Sequence, residues 1–179
     1  MAIYPSIMTV MIETERLVLR LWREDDAADL FRYASDIRVS APALWPRHES
    51  IEMSRMVIRD YFMAADLCLA MRLKDSGEVV GCIGLVPAGD EHYPTLPAER
   101  EVGYWIGHPY WHKGLTTEAL QALIDYCRRQ LALQSLLLTT AESNIGSQRV
   151  AEKCGFTLIT RYRHEDIPSR AYRLSLCCR

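Results

Sequence analysis

Two groups of residues in this chain have types and spacings that suit chemistry. The first is the run Tyr110-Trp111-His112-Lys113-Gly114-Leu115-Thr116-Thr117-Glu118. It links a strand-like apolar run, Val102 to Ile106, to an amphipathic helix pattern that begins near Thr116. A glycine beside a lysine, followed by paired threonines at a helix start, leaves backbone N–H groups free and aims the positive end of the helix dipole at one spot. That arrangement suits an anion. The same residues also suit a plain strand-to-helix turn, because the backbone must bend there and the helix needs a cap. The second group is Asn144-Ile145-Gly146-Ser147, which opens another helix and places a hydroxyl beside its start.

The elements that must position these groups follow from periodicity. Glu15 to Trp22 alternates, with Leu17, Leu19 and Leu21 on one face, and reads as a strand. Asp25-Asp26 opens a helix with Ala27, Leu30, Phe31 and Ala34 at helical spacing. Ser40 to Arg47, with Pro42 and Pro46, reads as a loop, and Glu49 to about Met63 as a second helix. Asp66–Lys74 and Glu78–Val86 flank the turn Asp75-Ser76-Gly77 as a hairpin. Gly89 to Pro97 is a loop, Glu99 to Gly107 a strand, Thr117 to Leu131 a helix, and Ser135 to Thr140 a short strand. Asn144 to Lys153 is a helix closed by Gly155, and Phe156–Tyr162 and Arg170–Cys177 are strands around a polar loop with Pro168. The order β-α-α-β-β-β-α-β-α-β-β predicts an α/β (α+β) fold, with a mixed central sheet of about seven strands and about four helices. The unit Glu99–Gly107, Thr117–Leu131, Ser135–Thr140 is a βαβ crossover, so its strands should be parallel. The candidate cradle then lies at the carboxyl end of the first strand, where such sheets bind ligands.

Length and composition bound the rest. The 179 residues are 49% apolar and 25% charged with net charge −2, which suits one domain over residues 1–179, with 1–12 as an N-terminal extension. No basic block points to nucleic acid, no apolar run approaches the roughly 20 residues of a membrane span, and no secretory leader is evident. The expectation is a soluble cytoplasmic protein. The six cysteines lack a CxxC and the five histidines lack ligand spacing, so no metal site is expected; buried free thiols are, with Cys177-Cys178 as a candidate redox pair. A nucleotide-binding P-loop is excluded because no GxxxxGK[ST] occurs.

Taken together, the two opening segments resemble those of a known family. Tyr110 to Leu120 looks like the pyrophosphate-binding motif of the GNAT superfamily of acetyl-CoA-dependent N-acetyltransferases, and Asn144 to Phe156 resembles its Asn-x-x-Ser…Glu-Lys-x-Gly-Phe segment. Thr14-Glu15-Arg16-Leu17-x-Leu19-Arg20 and Glu101-x-Gly103-Tyr104-Trp105 are similar to the RimJ/RimL-type branch. Trp111 replaces the glutamine or arginine that often opens the motif, Thr116 stands where glycine or alanine is common, and the tyrosine that many members use as general acid has no clear counterpart.

The resemblance implies transfer of an acetyl group from acetyl-CoA to a primary amine, of a small molecule or a protein N-terminus, by direct attack in a ternary complex. The alternative is a non-catalytic acyl-CoA-binding or regulatory module. The pyrophosphate would lie on the N–H groups of His112, Lys113, Gly114, Leu115, Thr116 and Thr117, and pantetheine would pair with the backbone of Tyr104, Trp105 and Ile106. A backbone N–H there would also face the oxyanion. An amine needs a base. Strand alternation puts Glu99, Glu101, Gly103 and Trp105 on the face away from Val102, Tyr104 and Ile106, so Glu101 is the first candidate, facing the open side, and Glu99 the second. Ser147 shares an inward face with Val150, Ala151 and Cys154 and suits positioning of the coenzyme or sulfur. Asn144 suits either a pantetheine amide or the helix N-cap. Trp45, His48 and Tyr93 are candidate liners of the amine pocket, and Asp90, Glu91 and Glu99 could attract its cation. Exposed methionines on the second helix could support a homodimer, although no pattern fixes the oligomeric state.

Overall fold

The computed structural model describes residues 10–43 and 45–176. Its elements are β1 (Met11–Glu13), β2 (Leu17–Leu21), α1 (Ala27–Ala34), α2 (Ile37–Ser40), α3 (Ile51–Val57), β3 (Cys68–Leu73), β4 (Val79–Leu85), β5 (Glu99–Ile106), α4 (Leu115–Gln130), β6 (Ser135–Ala141), α5 (Ile145–Lys153), β7 (Thr157–His164) and β8 (Ile167–Ser175). The strands form one eight-stranded sheet in the order β1-β2-β3-β4-β5-β6-β8-β7. The class is as the periodicity implies, a mixed sheet flanked by helices, with one strand and one short helix more.

The differences have local causes. β1 begins within the stretch 1–12 read as an extension and ends one residue beyond it. Three residues carry no period of their own, and the strand exists because Met11, Ile12 and Glu13 pair with Arg20, Leu19 and Val18. α2 precedes the proline-rich loop and is started by the Asp36 carboxylate, which accepts from the Arg38 N–H. Ser50 caps α3 in the same way through the Met53 N–H, and the helix then widens over Ile58–Phe62, where the Met63 N–H reaches Ile58 O. Pro168 belongs to β8 and not to a loop. The hairpin turn is only Glu165-Asp166, and Pro168, opposite Arg163, lends its carbonyl to the Glu142 N–H. The expected redox pair Cys177-Cys178 lies outside the described residues.

Strand alternation divides the sheet into two faces. Leu17, Leu19, Leu69, Met71, Val102, Ile106, Leu136 and Leu138 pack against the apolar stripe of α4, chiefly Leu115, Ala119, Leu120, Leu123 and Cys127. The other face carries Trp22, Ala70, Val79 and Cys82 against Ala27, Leu30 and Ala34 of α1 and Ile58. Each leucine, isoleucine, valine or methionine side chain buried in these layers contributes about 1.5–3 kcal/mol.

One join in the sheet differs from all others. β5 and β6 are parallel, as the crossover predicts, and pair only through Glu99↔Ser135, Arg100↔Leu136 and Glu101↔Leu137. Past that rung β5 continues to Ile106 beside β4, and β6 to Ala141 beside β8. The sheet therefore opens there into a wedge.

Candidate active site

The wedge presents unsatisfied backbone. Val86 donates to Glu101 O and Gly107 donates to Val80 O, so Glu101, Gly103, Trp105 and Gly107 turn their main-chain groups toward β4. Val102, Tyr104 and Ile106 turn theirs toward the gap. Trp105 thus departs from the expected role, since its backbone already serves the β4 ladder. Ile106 O is taken by Trp111, whose indole Nε1–H donates at 3.0 Å. The Tyr104 N–H and the Ile106 N–H remain as donors along an open strand edge.

At the mouth of the wedge stands the cradle. His112 (φ 60°) and Gly114 (φ 78°) both adopt the left-handed region, and Gly114 caps α4, which is why the helix begins at Leu115 and not Thr117. The N–H of Trp111 returns to His108 O and that of Glu118 to Gly114 O; between them, among the described residues, no backbone acceptor is found for His112, Lys113, Gly114, Leu115, Thr116 or Thr117. These six donors lie at the positive end of the helix dipole, on a stretch whose first residues are exposed. Leu115 directs its side chain into the core, and Lys113 Nζ lies over the Tyr110 ring at 5.1 Å.

The cradle is braced from the segment between β1 and β2. Glu118 accepts from Thr14 Oγ1 (2.5 Å), from Arg16 N (2.8 Å) and from Arg16 Nε (2.7 Å), while Arg16 Nη1 donates to Lys113 O (2.9 Å). Burial pushes the Glu118 carboxyl up, and the Thr14 and Arg16 donors outweigh it and hold it below its ordinary value.

On the α4–α5 face, Asn144 caps α5 by accepting from the Ser147 N–H, so its cap role is the one observed. Ser147 Oγ lies 3.0 Å from the Tyr104 hydroxyl, which also donates to Ser147 O at 3.2 Å. Burial raises the Tyr104 phenol above its usual pKa, so it remains protonated. Its side chain had no sequence signal beyond an expected place in the core. Ala151 is buried on the inward face with half-buried Val150 and Cys154, and Gln148, also buried, holds Glu142 O at 2.9 Å.

On the α1 face the two glutamates differ from expectation. Glu99 is committed to structure: it accepts from Arg173 Nε (2.6 Å) and Nη2 (2.9 Å), Ser135 Oγ (2.6 Å) and the Leu96 N–H (3.0 Å). Both of its oxygens are taken up by these donors, where a base or a cation lure was expected. Glu101 points to the expected face but is not open to solvent, being only 2% exposed. The loop before β5 folds over it, and a buried carboxylate needs donors. Those are the His92 N–H (2.7 Å), His92 Nδ1 (3.0 Å) and Thr139 Oγ1 (2.5 Å). The hydrogen bond to Glu101 raises the His92 imidazole above its ordinary value, against an opposing contribution from burial.

Beside Glu101 the space over Gly103 is open, for a Cβ there would meet only Val86 Cγ2 at 3.5 Å. Aromatic rings pack in pairs among the residues expected to line the amine pocket. Trp45 packs on Trp105 (centroids 6.1 Å) and on His48 (5.5 Å), and Tyr93 on Tyr162 (4.9 Å). His48 is buried against Ser54 Oγ at 2.8 Å, and burial lowers its pKa, which keeps it neutral at pH 7.

The model of the acetyltransferase (GNAT) domain matches residues 16–157. The chain is 29% identical over 150 residues to the uncharacterized N-acetyltransferase p20 of Bacillus licheniformis, a match covering 80% of each. Its fold is similar to the crystal structure of a GNAT-family acetyltransferase from Bacillus anthracis, with TM-score 0.78 at 23% identity over 93% of this chain and 99% of that one. It is also similar to that of RimL, a ribosomal L7/L12 alpha-N-protein acetyltransferase in complex with coenzyme A, with TM-score 0.73 at 17% identity over 93% and 98%. With a family model spanning most of its length, this chain belongs to the GNAT family and is an acetyl-CoA-dependent N-acetyltransferase.

Proposed function

We propose that the acceptor is a primary amine, of a protein N-terminus or a small molecule, which attacks directly in a ternary complex within the β5–β6 wedge. The observation that carries this reading is the two-sided geometry of the wedge. Free donors at residues 112–117 and along the β5 edge lie on the coenzyme side, and a hydrogen-bonded carboxylate, open space over Gly103 and packed aromatic rings lie on the other.

The N–H groups of His112 to Thr117 would hold the pyrophosphate, and the Tyr104 and Ile106 edge would pair with pantetheine as an added strand. Bound there, acetyl-CoA supplies the thioester carbonyl on which the amine acts. Ser147, held by Tyr104, positions the sulfur side; a serine hydroxyl is a weak acid, so it orients more than it donates. Glu101 supplies negative charge at the root of the wedge, where an ammonium of pKa roughly 8 to 10 must lose a proton. An α-amino group is the first acceptor to test, because RimL acts on one. We extend the reading to a cytoplasmic protein; among the described residues no helix is long and apolar enough to cross a membrane.

The test is thiol release from acetyl-CoA across free-N-terminus peptides, polyamines, amino acids and amino sugars. One class should be turned over well above the rate with water. Tight coenzyme binding with no turnover on any amine would overturn the reading in favour of a binding module.

A further inference from the structure

The Glu101 carboxylate is too enclosed to meet an amine, yet its chief partner is not. The His92 side chain is 44% exposed and Glu101 only 2%. Glu101 Oε1 receives both the His92 Nδ1–H and the Thr139 hydroxyl, and Oε2 receives the His92 backbone N–H. These bonds hold His92 at its backbone and at one ring nitrogen, and the carboxylate acceptor sets the neutral ring's tautomer, with the proton on Nδ1 and a lone pair on Nε2. Glu101 belongs to β5, Thr139 to β6 and His92 to the loop between β4 and β5, so the group spans the root of the wedge. The groups facing the ring from outside that trio are His164 of β7, whose ring is 5.0 Å away and edge-on, and Asp90 of the same loop. Tyr162 and Tyr93 close the far side against each other.

We propose that His92 is the base that deprotonates the acceptor amine, and that Glu101 is a positioning residue acting through it. This rests on the reading of the wedge as the amine site. The ammonium gives one proton to His92 Nε2, and the imidazolium returns it to solvent from its exposed edge. The neutral nitrogen forms the C–N bond to the acetyl carbon as the C–S bond breaks. The electron pair of that bond goes to sulfur, which receives the second proton shed by the nitrogen. One proton is released overall. The imidazole works only when neutral, so kcat/KM must rise with pH through the His92 pKa, which its carboxylate partner places above the usual value of about 6.5.

The test uses the full chain, histidine-labelled for NMR titration, with thiol release measured from pH 5 to 9 on the amine that the wild type uses fastest. His92→Gln keeps an amide donor for Glu101. It should lower kcat about 100-fold, leave the KM for acetyl-CoA within about twofold, and erase the acid limb. Glu101→Gln should move the NMR midpoint of His92 down and shift the acid limb to lower pH. A surviving acid limb with kcat within about threefold in His92→Gln would overturn the proposal, as would a His92 midpoint that does not move in Glu101→Gln. Absence of turnover with every amine in the wild type defeats the amine-site reading as well, whereas an active His92→Gln defeats only the base.

Discussion

At the scale of single residues, Gly114 and Glu99 carry distinct predictions. Gly114 combines a positive φ with an open surround, since a Cβ would meet only Arg16 Nη2 at 3.6 Å. Gly114→Glu should therefore fold with a loss of only about 1–2 kcal/mol from the left-handed backbone, yet place a carboxylate among the six donors. Calorimetry should then detect no coenzyme A binding, and unchanged affinity would remove the cradle from its role. Glu99 is a structural case. Burial pushes its carboxyl up, but Arg173, Ser135 and the Leu96 N–H outweigh that and hold it below the ordinary 4.5. A depressed folded pKa means the stabilisation is fully present above the unfolded value and is lost as pH falls through the folded one. Glu99→Gln leaves Arg173 unpaired and should cost about 3 kcal/mol at pH 7 in urea denaturation, with the gap to wild type narrowing below roughly pH 4. A constant gap across that range would show the pair to be energetically idle.

At the scale of elements, the start of α4 is held by the segment between β1 and β2. Thr14 and Arg16 give three hydrogen bonds to Glu118, and Arg16 pins the carbonyl of Lys113 within the cradle. Glu118→Ala should cost about 1–2 kcal/mol, roughly 5 °C in Tm, and weaken coenzyme A binding about tenfold because the donors lose their fixed aim. A stability loss with no change in affinity would reduce the brace to ordinary packing. The strand within Glu15 to Trp22 and the turn at Gly114 were legible in the sequence because alternation, a glycine and a helix period are local signals. β1 was not, since three residues hold no period. The company of Glu101 was not either. Strand alternation gave its face correctly, but Thr139 lies 38 residues away and reaches it only when β5 and β6 pair. His92, one of five histidines without ligand spacing, lay in a loop whose path no period describes. The fate of Glu99 was hidden in the same way, because Arg173 is 74 residues distant.

At the scale of the whole molecule, two antiparallel half-sheets meet at a parallel seam of only three register pairs. Coenzyme A bound along the free edge of β5 adds contacts that the unfolded chain lacks. A hundredfold excess over Kd should raise stability by about 2.7 kcal/mol. Hydrogen exchange should slow at the Tyr104 and Ile106 amides, while Glu101, already paired within the sheet, changes little. Uniform slowing would argue against strand-like pairing of the coenzyme. The Glu99–Arg173–Ser135 knot ties β5, β6 and β8 at the closed end of this seam, whereas the open end is bridged by the Tyr104 hydroxyl on Ser147 of α5. The molecule thus has the build of a clothes-peg, with its spring at Glu99 and its jaws touching where the Tyr104 hydroxyl meets Ser147.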